Sequence, residues 1–431
     1  MPDASLLKAR CHEENIKFIL VSLSDLFGVV RSKLVPVSAI DSLMTNGAAF
    51  AGFAAHFNLT PADPDIVVYP DVSTFVPLLW KPGVAWITGD LYTAGQLLSQ
   101  SPRNRLRLKS EDEKRRGRIL KTGVEAEFFL LKSGELQLAD TRDVYHKPCY
   151  DQSALMRSYD VISEICGTLD TLGWAPYQND HEDANGQFEI NWTYSDALTT
   201  ADRHTFFKFA VKSIAEQHGL RASFMPKIFD HLTGNGCHIH CSVWDERGQN
   251  LFLQGEGRAL LSQTGQHFIG GVMQFGAAVS ALTNPSVNSF KRLNAITTSS
   301  GATWVSHQSS WSGDDRTQAV RVPDDGRLEY RIPDGSANPY LLQLGAMSAG
   351  MTGIDQMIDP GSPGVPYVLD GKTVAFPQDL AEALTALQSC EVTQEYVGNE
   401  LATSILALRR QQWNQYKNAV SSWEHKVTLD C

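Results

Sequence analysis

Three pairs of charged side chains recur at i, i+2 spacing in this chain: Glu125/Glu127, His238/His240 and Glu329/Arg331. On an extended strand that spacing puts both members on one face of a sheet. A lone His-x-His is ordinarily a strand with two satisfied polar side chains; recurrence of the pattern is what points to a site. Glu125 and Glu127 lie in the apolar run Gly123–Leu131, where burying two acids is costly unless they meet a cation or hydrogen-bond donors. Glu182 and Glu189, in the loop and strand that follow His181, add two more carboxylates. Four carboxylates and an imidazole without a thiolate form an oxygen-rich donor set, suited to Mg2+ or Mn2+ rather than zinc or copper. More than one ion is expected, because so many carboxylates in one cavity would otherwise repel. Cys237 and Cys241 flank the histidines, but strand periodicity turns them to the opposite face, against a zinc site.

A second constellation is cationic. Arg292, Arg316, Arg321, Arg327 and Arg331 fall close together in a chain of net charge −11. All are arginine, the residue whose planar fork grips carboxylates and phosphates bidentately. Carboxylates for metal beside arginines for anions is the equipment of metal-assisted phosphoryl transfer. No Walker loop supplies the nucleotide site: Asp370-Gly371-Lys372-Thr373 has Pro366 where the first glycine belongs.

Composition sets the frame for these groups. The 431 residues, 42% apolar and 20% charged, suit two or three globular domains. The acidic balance argues against nucleic acid as a partner. No basic start followed by an apolar run marks a signal peptide, and no run is long enough to span a membrane. Seven cysteines without C-x-x-C spacing fit free thiols in the cytoplasm.

Residues 16–37 read as a β-hairpin, with Ser24, Asp25 and Gly28 supplying the turn. A short helix over 39–46 and strands at 66–69, 74–80 and 84–89 complete a small mixed β domain ending near residue 100. The charged stretch 101–120 reads as a solvated helix joining two domains, because its charges alternate in sign. Beyond it, helices are expected over 153–172 and 200–219, the second started by Thr199 or Thr200. Strands are expected at 122–131, 186–193, 222–227, 236–244 and 327–332. Residues 378–424 should form a helical bundle packed on the sheet. The class is α+β with an antiparallel sheet.

The motifs in order resemble the glutamine synthetase family over nearly the whole chain. They are Gly123–Phe128, Gly186–Glu189, Gly234–Ser242 with Val243-Trp244-Asp245, Asn288–Leu293, Asp315-Arg316-Thr317 and Arg327–Leu341. The resemblance implies an N-terminal β-grasp domain over 1–100, a charged linker helix over 101–120 and a catalytic domain over 121–431. It also implies homo-oligomeric stacked rings, a dodecamer, with active sites between neighbouring subunits. By position, Glu127, Glu182 and Glu189 match ligands of one divalent metal, and Glu125, His238 and Glu329 those of another. His240 and Ser242 match nucleotide-binding positions. Arg292 and the backbone at Gly234 match the grip on L-glutamate. Arg316, Arg321, Arg327 and Arg331 match groups that hold phosphates and the moving phosphoryl, with Arg316, Arg331 and Glu329 in the catalytic roles. The implied reaction uses ATP to phosphorylate the γ-carboxylate of glutamate before an amine displaces phosphate.

Two departures concern the amine. Typical members carry an aspartate where Ala51 stands in Phe50–Ala55, and a loop glutamate soon after the arginine matched by Arg292. Here residues 293–301 contain no acid. With Phe53 and Trp304 nearby, the amine pocket reads as less polar and suited to an alkylamine. The stretch Gly301-Ala302-Thr303-Trp304 is similar to γ-glutamylmethylamide synthetases. The expectation is a ligase for a small primary amine, methylamine first. A glutamine synthetase using ammonia and a catalytically silent relative are the alternatives.

Overall fold

A computed structural model describes residues 2–253, 261–324 and 326–431. Within the first hundred residues, two four-stranded sheets pair their strands only among themselves. The expected hairpin forms, Phe18–Ser24 antiparallel to Val30–Pro36. Its turn is held by Asp25, whose carboxylate accepts from the N–H groups of Phe27 and Val29, both at 3.0 Å. Two expected strands are shorter than predicted: 74–80 reduces to Val76–Pro77 behind a 3-10 turn, and 84–89 ends at Ile87. Pro77 has no N–H with which to extend the ladder.

Two antiparallel sheets follow. One runs in the order Ser195–Asp196, Ile119–Ala126, Cys237–Trp244, Arg327–Tyr330, Val320–Asp324, Trp311–Ser312, with only the last pair parallel. The other runs Pro176–His181, Gln187–Trp192, Phe128–Lys132, Leu220–Ser223. The single strand predicted over 122–131 is therefore two strands in different sheets, broken at Glu127. The apolar pattern gave no sign of the break, because both halves are buried. Its cause is a local exchange: Glu127 N–H donates to Gly236 O at 3.2 Å, and Gly236 N–H donates to Glu127 Oε2 at 2.7 Å.

Helices Pro102–Arg115, Ala197–Gln217, Gln263–Thr283 and Pro339–Asp355 pack among and against these sheets. The helix predicted from Thr200 begins at Ala197, because the Asp196 carboxylate caps it by accepting from Thr199 N–H at 3.0 Å. The one predicted over 153–172 breaks at Ser158 into Gln152–Arg157 and Tyr159–Thr171. Helices Pro2–Glu13 and Val287–Leu293 were not anticipated, nor were the two long ones, Gln263–Thr283 and Pro339–Asp355. Their glycines read as breakers but are needed for close approach: a Cβ on Gly271 would lie 2.0 Å from Ala349 O, and one on Gly353 2.2 Å from His267 O. Of the C-terminal helices, Leu380–Ser389 and Glu391–Val397 pack on these two helices rather than on the sheet, and Asn399–Asn418 packs on Leu380–Ser389 and Glu391–Val397 in turn.

The charged stretch 101–120 is only partly a solvated face. Its helix ends at Arg115, Ile119 already begins a strand, and Arg103, Asn104 and Leu106 are buried. Arg103 reaches Asp71 at 2.8 Å, Asp90 at 3.0 Å and Asp202 at 2.9 Å, and Tyr340 Oη donates to Asp202 at 2.7 Å. One guanidinium thus ties one of the N-terminal sheets to two helices of the larger part. Arg103→Ala leaves Asp202 buried without its cation, and is expected to cost roughly 3–5 kcal/mol, read as a lower urea midpoint.

Candidate active site

The register of the six-stranded sheet brings the charged pairs together. His238 lies opposite Glu125, and Glu329 lies between His240 on one side and Arg321 on the other. Glu127 follows at the break, and the second sheet sets Glu189 opposite Asp180. All face one cavity of about 860 Å3, closed elsewhere by Gly234, Arg292, Trp304 and Arg316. Every residue predicted for metal, glutamate or phosphate binding lines this cavity except Ser242.

The acids divide by what surrounds them. Burial alone would raise the Glu125 carboxyl, but hydrogen bonds to His238 (3.4 Å) and His240 (2.8 Å) hold it well below its ordinary range. Glu329 is lowered too, since His238, Arg331 and His240 outweigh its burial. Glu182 and Glu189 go the other way. Burial, then Glu127 and Asp180, push Glu182 up to about 8. Burial, then Glu125 and Glu182, push Glu189 well above its usual value. These carboxylates repel one another and have no compensating cation among the described residues, the electrostatics expected of an oxygen-rich metal site.

Potential ligand atoms fall within 4.8 Å of one another in three sets: Glu125, His240 and Glu329; Glu125, Glu189 and His238; Asp180, Glu182 and Glu189. The partition differs from the one the resemblance implies. Glu127 joins none of these sets; its Oε2 accepts from Gln187 Nε2 at 2.8 Å and from Gly236 N–H. Asp180 is a residue the sequence reading missed, although Asp180/Glu182 has the same i, i+2 spacing as the other pairs. Asp183 was missed as well. It is buried beside the cavity and accepts from Thr233 Oγ1 at 2.7 Å and Ser300 Oγ at 2.5 Å.

The arginines are held in distinct ways. Arg292 is buried and donates to Ile332 O at 2.9 Å. Its side chain passes so close to Gly234 that a Cβ there would sit 3.1 Å from Arg292 Cγ and 2.2 Å from Pro226 O, so only glycine fits. Arg321 bridges Glu329 (2.7 Å) and Asp314 (2.6 Å), and Arg331 also pairs with Glu329. Arg327 donates to His240 Nδ1 at 3.0 Å and pairs with Asp324 at 2.7 Å. Arg316 stands exposed at the cavity edge without an ion pair among the described residues.

A second cavity of about 970 Å3 opens from the first and shares Glu125, Tyr177, His240 and Arg327 with it. Ser242 lines it and accepts from Trp244 Nε1 at 2.8 Å. Trp244 and Tyr194 stack with centroids 6.3 Å apart, and Lys121 Nζ sits 3.9 Å from the Trp244 ring centre. A flat heteroaromatic ring suits this cavity as well as anions suit the first.

The residues predicted for the amine are dispersed. Trp304 lies on the rim of the first cavity, 41% exposed, with φ of 56°. Ala51 and Phe53 line neither cavity; Phe53, 51% exposed, sits on the 3-10 turn Gly52–Ala54 in the N-terminal part.

Comparison with known proteins agrees with this geometry. The glutamine synthetase catalytic domain model matches residues 99–428. The glutamine synthetase of Rhizobium meliloti (strain 1021) is 49% identical over 430 residues, covering 98% of this chain and 99% of that protein. The glutamate–methylamine ligase of Methyloversatilis universalis is 38% identical over 432 residues, covering 97% of each. Among solved structures, "GmaS/ADP complex-Conformation 1" matches with a TM-score of 0.93 and 48% identity over 99% of both chains. "Apo GmaS without ligand" matches with a TM-score of 0.92 and 46% identity over the same shares. The chain belongs to the glutamine synthetase family and is an ATP-dependent ligase that forms a C–N bond.

Proposed function

We propose that the protein joins a small primary amine, methylamine first, to the γ-carboxylate of L-glutamate, giving a γ-glutamylamide, ADP and phosphate. The observation that carries the choice of amine is the loop after Arg292. It reaches the cavity without an acid and ends there on Trp304, so apolar surface stands where a second carboxylate would favour ammonium. Similarity to a glutamate–methylamine ligase and to GmaS supports the same reading. A glutamine synthetase using ammonia is the second reading, favoured by the 49% identical relative of that name.

In this reading Arg292 and the Gly234 backbone grip glutamate. His240 and Ser242 place the nucleotide across the two connected cavities, with Arg316, Arg321 and Arg327 on its phosphates. A glutamate γ-oxygen takes the γ-phosphoryl of ATP and ADP departs; Arg316 and Arg331, with Glu329 orienting Arg331, stabilise the charge on the moving group. The amine nitrogen then bonds to the γ-carbonyl carbon while the carbon–oxygen bond to phosphate breaks, and the proton the nitrogen loses leaves with the phosphate. Mg2+ or Mn2+, held by Glu125, Glu127, Glu182, Glu189, His238 and Glu329, would supply further charge neutralisation at the phosphates.

The same reading divides the chain into a β-grasp domain over 1–100, a linker helix over 101–120 and a catalytic domain over 121–431. It places the enzyme in the cytoplasm, where its seven free thiols are stable. It assembles the chain into stacked rings, a dodecamer. The position of Ala51 and Phe53, exposed and away from their own chain's cavity, supports an amine pocket completed by a neighbouring subunit.

ADP release in the presence of ATP, Mg2+ and glutamate tests the amine. Methylamine is expected to exceed ammonia in kcat/KM by roughly tenfold or more, the worth of one methyl group in a fitted pocket. Higher turnover with ammonia than with any alkylamine would establish the second reading instead.

The metal assignment is tested by pH. Glu182 has its folded pKa raised to about 8, so the stability tied to its proton is present at low pH and lost as pH rises through that value. Without metal, Tm should therefore fall between pH 6 and pH 9. Mg2+ replaces the proton, so the Tm increase it gives should be larger at pH 9 than at pH 6. A metal effect on Tm that is equal at both pH values would refute the assignment.

A further inference from the structure

We propose that Asp183 is a positioning residue that holds the loop around Ser300 down on the cavity, and so keeps water away from the acyl phosphate. The inference rests on the ligase reading above. It concerns a side chain that neither the metal set nor the substrate grips use.

Asp183 joins three segments of the site. It follows Glu182 directly; its Oδ2 accepts from Thr233, the residue before Gly234, and from Ser300. Thr298 Oγ1 lies 3.1 Å from Ser300 Oγ, and Ser299 N–H donates to His231 O at 2.7 Å, so the loop meets the same wall twice. Asp183, Thr233 and Ser300 are all buried, whereas Ile296 in the same loop is almost fully exposed. The inner end of the loop is buried and pinned while Ile296 at its outer end faces solvent. Hydrogen bonds to an ionised acceptor are the stronger kind, and two of them converge on one oxygen. Directly beyond the pin, Gly301, Ala302, Thr303 and Trp304 form part of the cavity wall. Trp304 keeps a left-handed φ of 56°, a conformation that persists only where the surroundings enforce it.

The chemical need for such a pin is specific. Once glutamate carries phosphate, water competes with the amine. If the oxygen of water bonds to the γ-carbonyl carbon, the carbon–oxygen bond to phosphate breaks, glutamate is regenerated and ATP has been spent without an amide. A loop that stays down suppresses this loss. An aspartate serving only the fold would alter Tm and leave the ratio of ADP to amide untouched.

Two measurements on the full-length protein test the role: hydrogen–deuterium exchange of the 298–304 amides, and ADP released per γ-glutamylamide formed. In Asp183→Ala and in Ser300→Ala, exchange should rise about tenfold, as expected for lost hydrogen bonds to a charged acceptor, and the ratio at least about twofold. Asp183→Asn keeps an oxygen that accepts both hydroxyl protons, though without the charge, and should bring both readouts part of the way back to wild type. Wild-type exchange and ratio in the two alanine variants overturn the proposal, as does an asparagine variant that behaves like alanine. If Asp183→Ala does not assemble, Ser300→Ala, remote from Glu182 in sequence, decides alone. A wild-type protein that releases no ADP with any amine would refute the ligase reading, and exchange would still judge the pin.

Discussion

Carboxylates crowd one wall of the cavity with too few fixed cations to balance them, and much of the site follows from that repulsion. Glu329 is compensated by Arg321 and Arg331, and Glu125 by two imidazoles. Glu182 and Glu189, with Asp180 beside them, have no such partners among the described residues, and burial with mutual repulsion raises both carboxyls. A folded chain tolerates this only where rigid strands leave the acids no room to separate. Hence Glu125, Glu189, His238 and Glu329 sit on paired strands, Glu127 at a strand break and Glu182 directly after a strand end. The cost is built into the protein and is relieved when a cation enters, so metal affinity and fold stability are coupled through the same atoms.

The arginines complete the logic. Three of the five spend part of their charge on carboxylates within the cavity wall or at its edge, which fixes their planes before any substrate arrives. Preorganised donors need no rearrangement when charge develops on a transferred phosphoryl, and this is the larger part of what a protein contributes to such a reaction. Arg316 differs: it is exposed and unpaired among the described residues, free to follow a group that changes position.

What was legible in the sequence was whatever follows from a period of two. Glu125, His238, His240 and Glu329 share a face because strand side chains alternate, and the register then makes them neighbours. What was hidden depended on contacts distant along the chain. The break at Glu127 needs Gly236, and Asp183 acquires its role only beside Thr233 and Ser300. The two glycine-bearing helices, Gln263–Thr283 and Pro339–Asp355, look poor by propensity, yet their glycines let them approach until backbone meets backbone. Local preference was outweighed by packing that a sequence window does not contain. Membership of the family was legible for a different reason: its motifs keep their order and spacing along the whole chain.

The residues proposed for the amine pocket lie on two parts of the chain that the fold keeps apart. Trp304 reaches the cavity within its own chain, whereas Ala51 and Phe53 lie on an exposed turn elsewhere. That turn is itself firmly set, since His56 Nδ1 just beyond it donates to Asp25 Oδ2 at 2.9 Å and its ring stacks on Phe27 with centroids 4.2 Å apart. An exposed apolar side chain on a rigid turn is suited to close a cavity presented by another copy of the chain. Selection of the amine would then depend on assembly as well as on sequence: a subunit with intact carboxylates and arginines would hold ATP and glutamate but lack one wall against which an alkyl group is measured.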